Sequence, residues 1–136
     1  MAKVTGIVSA LSVDDASGTP RVISTDATQV SIATPRGQQD VTGLDKSAIE
    51  RLGLLKDATI TVTGVADFAT NMEHDVFKAD PAGSATRTTA ITLANSAATL
   101  TLETNLQDYS FSRNQNGELT FTATLVNADG NAPVWT

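Results

Sequence analysis

The chain has 136 residues and a formal charge of −6, with 15 acidic side chains against 9 Lys and Arg. That length suits one core, and the sign of the charge opposes the cationic footprint by which proteins grip phosphates, which argues against tight binding of DNA or RNA. Cysteine is absent and only 4% of residues are aromatic. Disulfides, thiolate metal sites and thiol nucleophiles are thereby removed, and the core is left to Val, Ile, Leu and Ala, so that stability leans on partner chains.

Met1-Ala2-Lys3-Val4-Thr5-Gly6 leads straight into alternation with no long apolar run, which predicts neither a secretory signal nor a membrane span, in a chain made and retained in a cytoplasm. Residues 6–13 predict a strand with Ile7, Leu11 and Val13 on one face. The turn-forming run Asp14-Asp15-Ala16-Ser17-Gly18-Thr19-Pro20 ends it, and a hairpin partner follows over 21–24. Over 28–33, Val30 and Ile32 alternate with Gln29 and Ser31. Thr34-Pro35-Arg36-Gly37-Gln38-Gln39-Asp40 then breaks the pattern and predicts a long exposed loop.

A helix of two or three turns is predicted over 45–52, ending near Gly53. Ser47 and Glu50 have capping-box spacing, Asp45 offers an alternative N-cap, and Ile49, Leu52 and Leu55 form one stripe. Strict alternation over 57–67 predicts a strand, with Ala58, Ile60 and Val62 opposed to Thr59, Thr61 and Thr63. Met72, Val76 and Phe77 at helical spacing predict a short second helix over 71–78, stopped by Pro81-Ala82-Gly83-Ser84. From Arg87 the alternation returns in runs through Thr89, Ile91 and Leu93, then Ala98, Leu100 and Leu102, then Tyr109 and Phe111, then Leu119, Phe121, Ala123 and Leu125. Asn95-Ser96 and Asn116-Gly117 sit between runs as turn signals, so the C-terminal part reads as a β-meander in an all-β chain with one or two short helices.

The other face of these strands carries Thr59, Thr61, Thr63, Thr88, Thr92, Thr99, Thr101, Thr120, Thr122 and Thr124. Threonine suits a strand and a wet surface alike, yet a free monomer would carry Lys and Glu there to discourage pairing with other chains. Neutral ladders of this kind suit strands that add onto a neighbour.

Chemistry-bearing motifs are few. His74 is the only histidine and lies between Glu73 and Asp75, which reads as a helix-surface or interface group because no second His exists to share a metal. Asp14, Asp15 and Asp26 lack calcium-loop spacing and its closing Glu. No G-x-S-x-G elbow, P-loop or G-x-G-x-x-G occurs, so no catalytic residue, metal or cofactor is predicted. Trp135 follows the run Asp129-Gly130-Asn131-Ala132-Pro133. It either caps its own core or, with Pro133, anchors the tail on a neighbouring subunit.

The run Val13-Asp14-Asp15-Ala16-Ser17-Gly18-Thr19-Pro20-Arg21-Val22-Ile23-Ser24, the strand around Val30 and Ile32, and Asp40-Val41-Thr42-Gly43-Leu44-Asp45-Lys46-Ser47-Ala48-Ile49-Glu50-Arg51-Leu52 resemble the tail tube (major tail) proteins of long-tailed, siphovirus-type phages. Asp57-Ala58-Thr59-Ile60-Thr61-Val62-Thr63-Gly64-Val65 and His74-Asp75-Val76-Phe77 follow in the family's order. The resemblance implies one domain over 1–136 with a β-sandwich or barrel-like tail tube fold. Six copies would close a ring by pairing inner strands into a continuous barrel, and stacked rings would conduct genomic DNA that transits without specific binding. It also implies a virion protein made in the host cytoplasm, partnered by the tape measure protein and other tail components, with no membrane. On that footing the loop 34–45, with Thr34, Pro35, Arg36, Gly37, Gln38, Gln39 and Asp40, seats one ring on the next, and the tail 127–136 is a second assembly contact. Lumen candidates are Thr59, Thr61, Thr63, Thr99, Thr101, Thr120, Thr122 and Thr124, because a wall of hydroxyls and acids gives phosphates no cation to hold. Sheet register, which decides the lumen face, is not visible in sequence. A capsid-decorating or head-to-tail joining protein is the alternative of similar composition. A secreted carbohydrate-binding sandwich is weaker, since its sites present exposed aromatics.

Overall fold

The computed structural model describes residues 9–94 and 97–136. The first residues of the expected opening strand and the Asn95-Ser96 turn lie outside the described residues. Ten strands and one helix are described: β1 (Ala10–Asp14), β2 (Pro20–Val22), β3 (Ala27–Ala33), β4 (Arg36–Asp40), β5 (Arg51–Lys56), β6 (Thr59–Val65), α1 (Glu73–Phe77), β7 (Arg87–Leu93), β8 (Ala98–Arg113), β9 (Leu119–Asn127) and β10 (Val134–Trp135).

Alternation of apolar and hydroxyl side chains makes each body strand two-faced, and the apolar faces find one another. The strands pair in the order β2-β1-β7-β8-β9-β6-β3, with β10 attached to β8 and β4-β5 forming a separate pair. Every pairing is antiparallel.

The 16-residue β8 joins the two halves of this sheet. Its first part pairs with β7 and its second part with β9. The halves share one core. Leu11, Val13, Ile91, Leu100 and Leu102 come from one, Ile60, Val62, Phe121, Ala123 and Leu125 from the other, and Val76 and Phe77 of α1 join the same cluster. Each Val, Leu, Ile or Phe among them, once fully buried, contributes about 1.5–3 kcal/mol. At the end of the β3–β6 hairpin a Cβ on Gly64 would land on the Asp26 carbonyl oxygen, so this strand position admits no side chain.

Three expectations are corrected. Residues 45–52 form no helix: Arg51 and Leu52 open β5, which pairs with β4. The Glu50 N–H that a capping box would give to the Ser47 hydroxyl is taken by Thr42 Oγ1 at 2.8 Å, and Asp40 Oδ1 accepts both the N–H and the hydroxyl of Thr42 at 3.0 and 2.6 Å. A lone eight-residue helix with no body to cover its stripe is also unstable in water. The 34–40 segment is exposed as expected, but Arg36–Asp40 is a strand and not a loop. The runs through Leu102 and Tyr109 belong to one strand, because a bulge between Leu106 and Asp108 shifts the core-facing parity from even to odd positions and hides the continuity.

The remaining elements agree with the sequence reading. The short helix around His74 forms, and Gly117 turns the β8–β9 hairpin at φ 91°. Asp15 organises the β1–β2 turn by accepting the Ser17 and Thr19 N–H groups, each at 3.0 Å. The Ser17 hydroxyl at 2.8 Å, together with these bonds and the Arg21 guanidinium, holds its carboxyl well below the usual carboxylate range.

Candidate functional site and assembly surfaces

The outer face of the β8-β9-β6-β3 half is a continuous field of hydroxyls. Thr61 lies opposite Thr124 and Thr63 opposite Thr122, while Ser31 and Gln29 continue the rows onto β3. Asp108, Ser110 and Ser112 continue them onto β8, opposite Thr124, Thr122 and Thr120. Asp108 is the one ionisable group among these cross-strand partners. The half also has two open sides. Within the described chain β3 pairs only with β6, and β8 beyond Thr104 pairs only with β9.

Six of the eight lumen candidates, Thr59, Thr61, Thr63, Thr120, Thr122 and Thr124, share this face. Thr99 and Thr101 do not: they pair with Thr92 and Ala90 on the β2-β1-β7-β8 half. The C-terminal tail returns to its own chain. Trp135 pairs with Leu100, Thr136 and Thr99 exchange backbone hydrogen bonds at 2.8 and 2.9 Å, and Pro133 is buried. The Trp135 ring remains 42% exposed.

β4 and β5 form an arm that prolongs the β3–β6 hairpin, with the Asp57 N–H donating to the Pro35 carbonyl at 2.9 Å where the ladders meet. Within β4 and β5 only Gly53 is even half-buried. Arg36 folds across the arm, its Nε donating to the Leu54 carbonyl at 2.9 Å. Val41, Leu44, Ile49, Leu52, Leu54 and Leu55 are all exposed along it.

At the opposite end of that hairpin, α1 carries a polar cluster that no sequence signal announced. Glu73 is fully buried; its carboxylate accepts the Tyr109 hydroxyl at 2.6 Å and the Asp67 N–H at 3.1 Å, and its own N–H donates to Asp26 Oδ2 at 3.2 Å. Burial pushes the Glu73 carboxyl up against the opposing pull of the Tyr109 hydroxyl, and burial together with nearby Asp67 pushes Asp26 up. The same desolvation, with Glu73 alongside, pushes the Tyr109 phenol up. With its proton given to Glu73, the Tyr109 oxygen accepts from His74 Nδ1 at 3.1 Å, so His74 is a half-buried structural partner. Arg87, 1% exposed, donates to the Asp14 and Val76 carbonyls, each at 2.8 Å, and ties α1 to the sheet. The sequence reading placed neither Glu73 nor Arg87 inside, because charged residues are rarely buried and only the tertiary contacts supply their partners. Among the described residues no group of three or more His, Asp or Glu has the arrangement to hold a metal ion.

No family model matches the sequence, and no curated protein matches it. Solved structures do match in shape. A chain of the tail of an empty gene transfer agent particle, refined with C6 symmetry, is 18% identical with a TM-score of 0.74, over 99% of each chain. A chain of the native gene transfer agent virion is 17% identical with a TM-score of 0.68, over 93% of this chain and 95% of that one. A chain of the six-fold symmetrised anti-feeding prophage baseplate is 13% identical with a TM-score of 0.64, over 100% and 97%. The fold is therefore that of subunits from phage-type tail assemblies: an all-β sheet with one short helix, not closed within the chain.

Proposed function

We propose that this chain is a structural tail tube subunit, not an enzyme. Copies close into hexameric rings, rings stack into a tube, and genomic DNA passes along the lumen. The observation that carries this reading is the four-stranded hydroxyl half with an unpaired strand on each side, in a fold shared with a C6-refined tail.

The pairing arithmetic supports ring closure. β8, β9, β6 and β3 are successively antiparallel, so β3 and β8 run in opposite directions. β3 of one copy laid beside β8 of the next therefore continues an antiparallel ladder, and repetition around a ring leaves no edge. The wall would then consist of Thr59, Thr61, Thr63, Thr120, Thr122 and Thr124 with one acid, Asp108, per copy. Each copy carries a formal −6, so the ring repels phosphates and gives DNA nothing to grip. Thr99 and Thr101 fall outside this lumen.

In this reading 1–136 is a single tube domain. The segment Thr34, Pro35, Arg36, Gly37, Gln38, Gln39 and Asp40 seats one ring on the next, and the exposed part of Trp135 presents the tail to a neighbouring subunit while Pro133 stays buried at home. The tape measure protein and other tail components are the remaining partners, in a virion assembled in the host cytoplasm.

Negative-stain microscopy of the purified protein tests the proposal, with hollow filaments or six-membered rings as the expected outcome. A chain that stays monomeric at high concentration and in infected cells, or a trimer that coats empty capsids, overturns it.

A further inference from the structure

We propose that the end of the molecule built from Phe68, His74 and Phe111 is the socket for the arm tip of a copy in the adjoining ring. This rests on the tail tube reading and supplies the mate that reading leaves open.

Topology puts donor and acceptor at opposite ends. The arm leaves the β3–β6 hairpin at the Ala33↔Thr59 end, whereas the Ala27↔Gly64 pair marks the other end, from which the chain runs on to Phe68. Phe111 lies at that end too, on the core-facing side, since Gly64 lies opposite Phe121 and Phe121 opposite Phe111. Copies shifted along the strands therefore meet arm to socket. An open stack requires such a heterologous contact, in which two different surfaces of the same chain mate.

Both surfaces are apolar and uncovered. The arm tip exposes Val41 by 47%, Leu44 by 109% and Ile49 by 61%, and the socket exposes Phe68 by 60% and Phe111 by 43%. The socket is already shaped: Phe68 stacks on Phe111 at 6.1 Å between centroids, His74 meets Phe68 edge-on at 4.7 Å, and Tyr109 backs Phe111 at 4.9 Å. Preformed aromatic surface binds a partner with little ordering cost.

Charge points to the same occupant. Between Arg36 and Lys56 the arm holds four cations, Arg36, Lys46, Arg51 and Lys56, against Asp40, Asp45 and Glu50, while the rest of the chain holds five cations against twelve acids. The described ion pairs, Arg21 with Asp15, Lys78 with Asp75 and Arg87 with Asp80, include none of the four arm cations. Asp67 flanks Phe68 and Glu118 follows the turn beyond Phe111, against one cation, Arg113, at that end of β8. A second copy of this chain thus brings both the apolar tip and the complementary sign.

The absence of cysteine makes the contact testable by cross-linking. Chains carrying Leu44→Cys and chains carrying Phe68→Cys are mixed, assembled and oxidised, with Leu44→Cys plus Thr99→Cys as the control pair. A disulfide needs Cβ atoms within about 4.5 Å, so a covalent dimer is expected from the first pair, only in assembled material, and not from the control. Phe68→Ser with Phe111→Ser is expected to leave folded chains and rings while abolishing stacking. Tubes that form from the cysteine chains without the Leu44–Phe68 product, or full tubes from the double serine variant, overturn the socket. Failure of the unmodified chain to form rings or tubes instead overturns the tail tube reading itself.

Discussion

The body and the arm are built from similar hairpins yet differ in what covers them. Along β6, Ile60 and Val62 are fully buried while Thr59, Thr61 and Thr63 face outward. Along β5, Leu52, Leu54 and Leu55 are all exposed. A strand whose apolar row is covered by the rest of the core is stable at home, whereas an isolated two-stranded hairpin is marginal in water. The arm is held by its own cross-links, the Arg36 bond to Leu54 and the Asp40-Thr42-Glu50 network, while its leucines are left for another surface. An apolar residue thus reports a core only when something lies over it; otherwise it reports an unmade contact.

The comparison breaks most decisively in the body. Phe121 is fully buried in the shared core, so Phe121→Ala is expected to cost about 3–5 kcal/mol through the lost contacts and the cavity left behind. Urea unfolding measures it, and a loss under 1 kcal/mol would show that the halves do not share a core.

Tyr109→Phe is expected to cost less, about 1.5–3 kcal/mol at neutral pH, because a buried carboxylate loses its hydroxyl donor. The sign with pH follows from the Glu73 carboxyl being pushed up. The folded state keeps this proton to a higher pH than the unfolded chain, so the need for the donor is full where Glu73 is ionised and fades as pH falls through its raised pKa. Melting curves of variant and parent should therefore converge on acidification. Asp15 acts in the opposite sense: its lowered pKa adds stability above the ordinary carboxylate range, lost as pH falls below it.

The smallest effect on folding is expected in the arm. Leu52→Ser with Leu54→Ser should change the unfolding free energy by no more than about 0.5 kcal/mol while abolishing tube formation. A clear drop in monomer stability would mean that these leucines are packed at home, against their exposure.

Much of the fold was legible locally. Strand positions, the core-facing identity of Ile60, Val62, Leu100 and Phe121, the hairpin at Asn116-Gly117 and the helix around His74 follow from a period of two, a turn residue and a period of 3.6. Each of these is a property of neighbours in the chain. The arm misled because Ser47, Glu50, Ile49 and Leu52 satisfy a helical pattern that has no surface to lie on, while Thr42 and Asp40 offer their backbone groups a hairpin instead. Tertiary structure alone decided which threonines share a face, since the bulge at Leu106/Asp108 and the sharing of β8 between two halves separate Thr99 and Thr101 from the others. It alone decided that Glu73, Asp26 and Arg87 lie inside, because a buried charge is tolerated only where partners distant in sequence converge on it. Alternation of residues is written within a strand, but register and burial arise between strands, and there the sequence by itself stops.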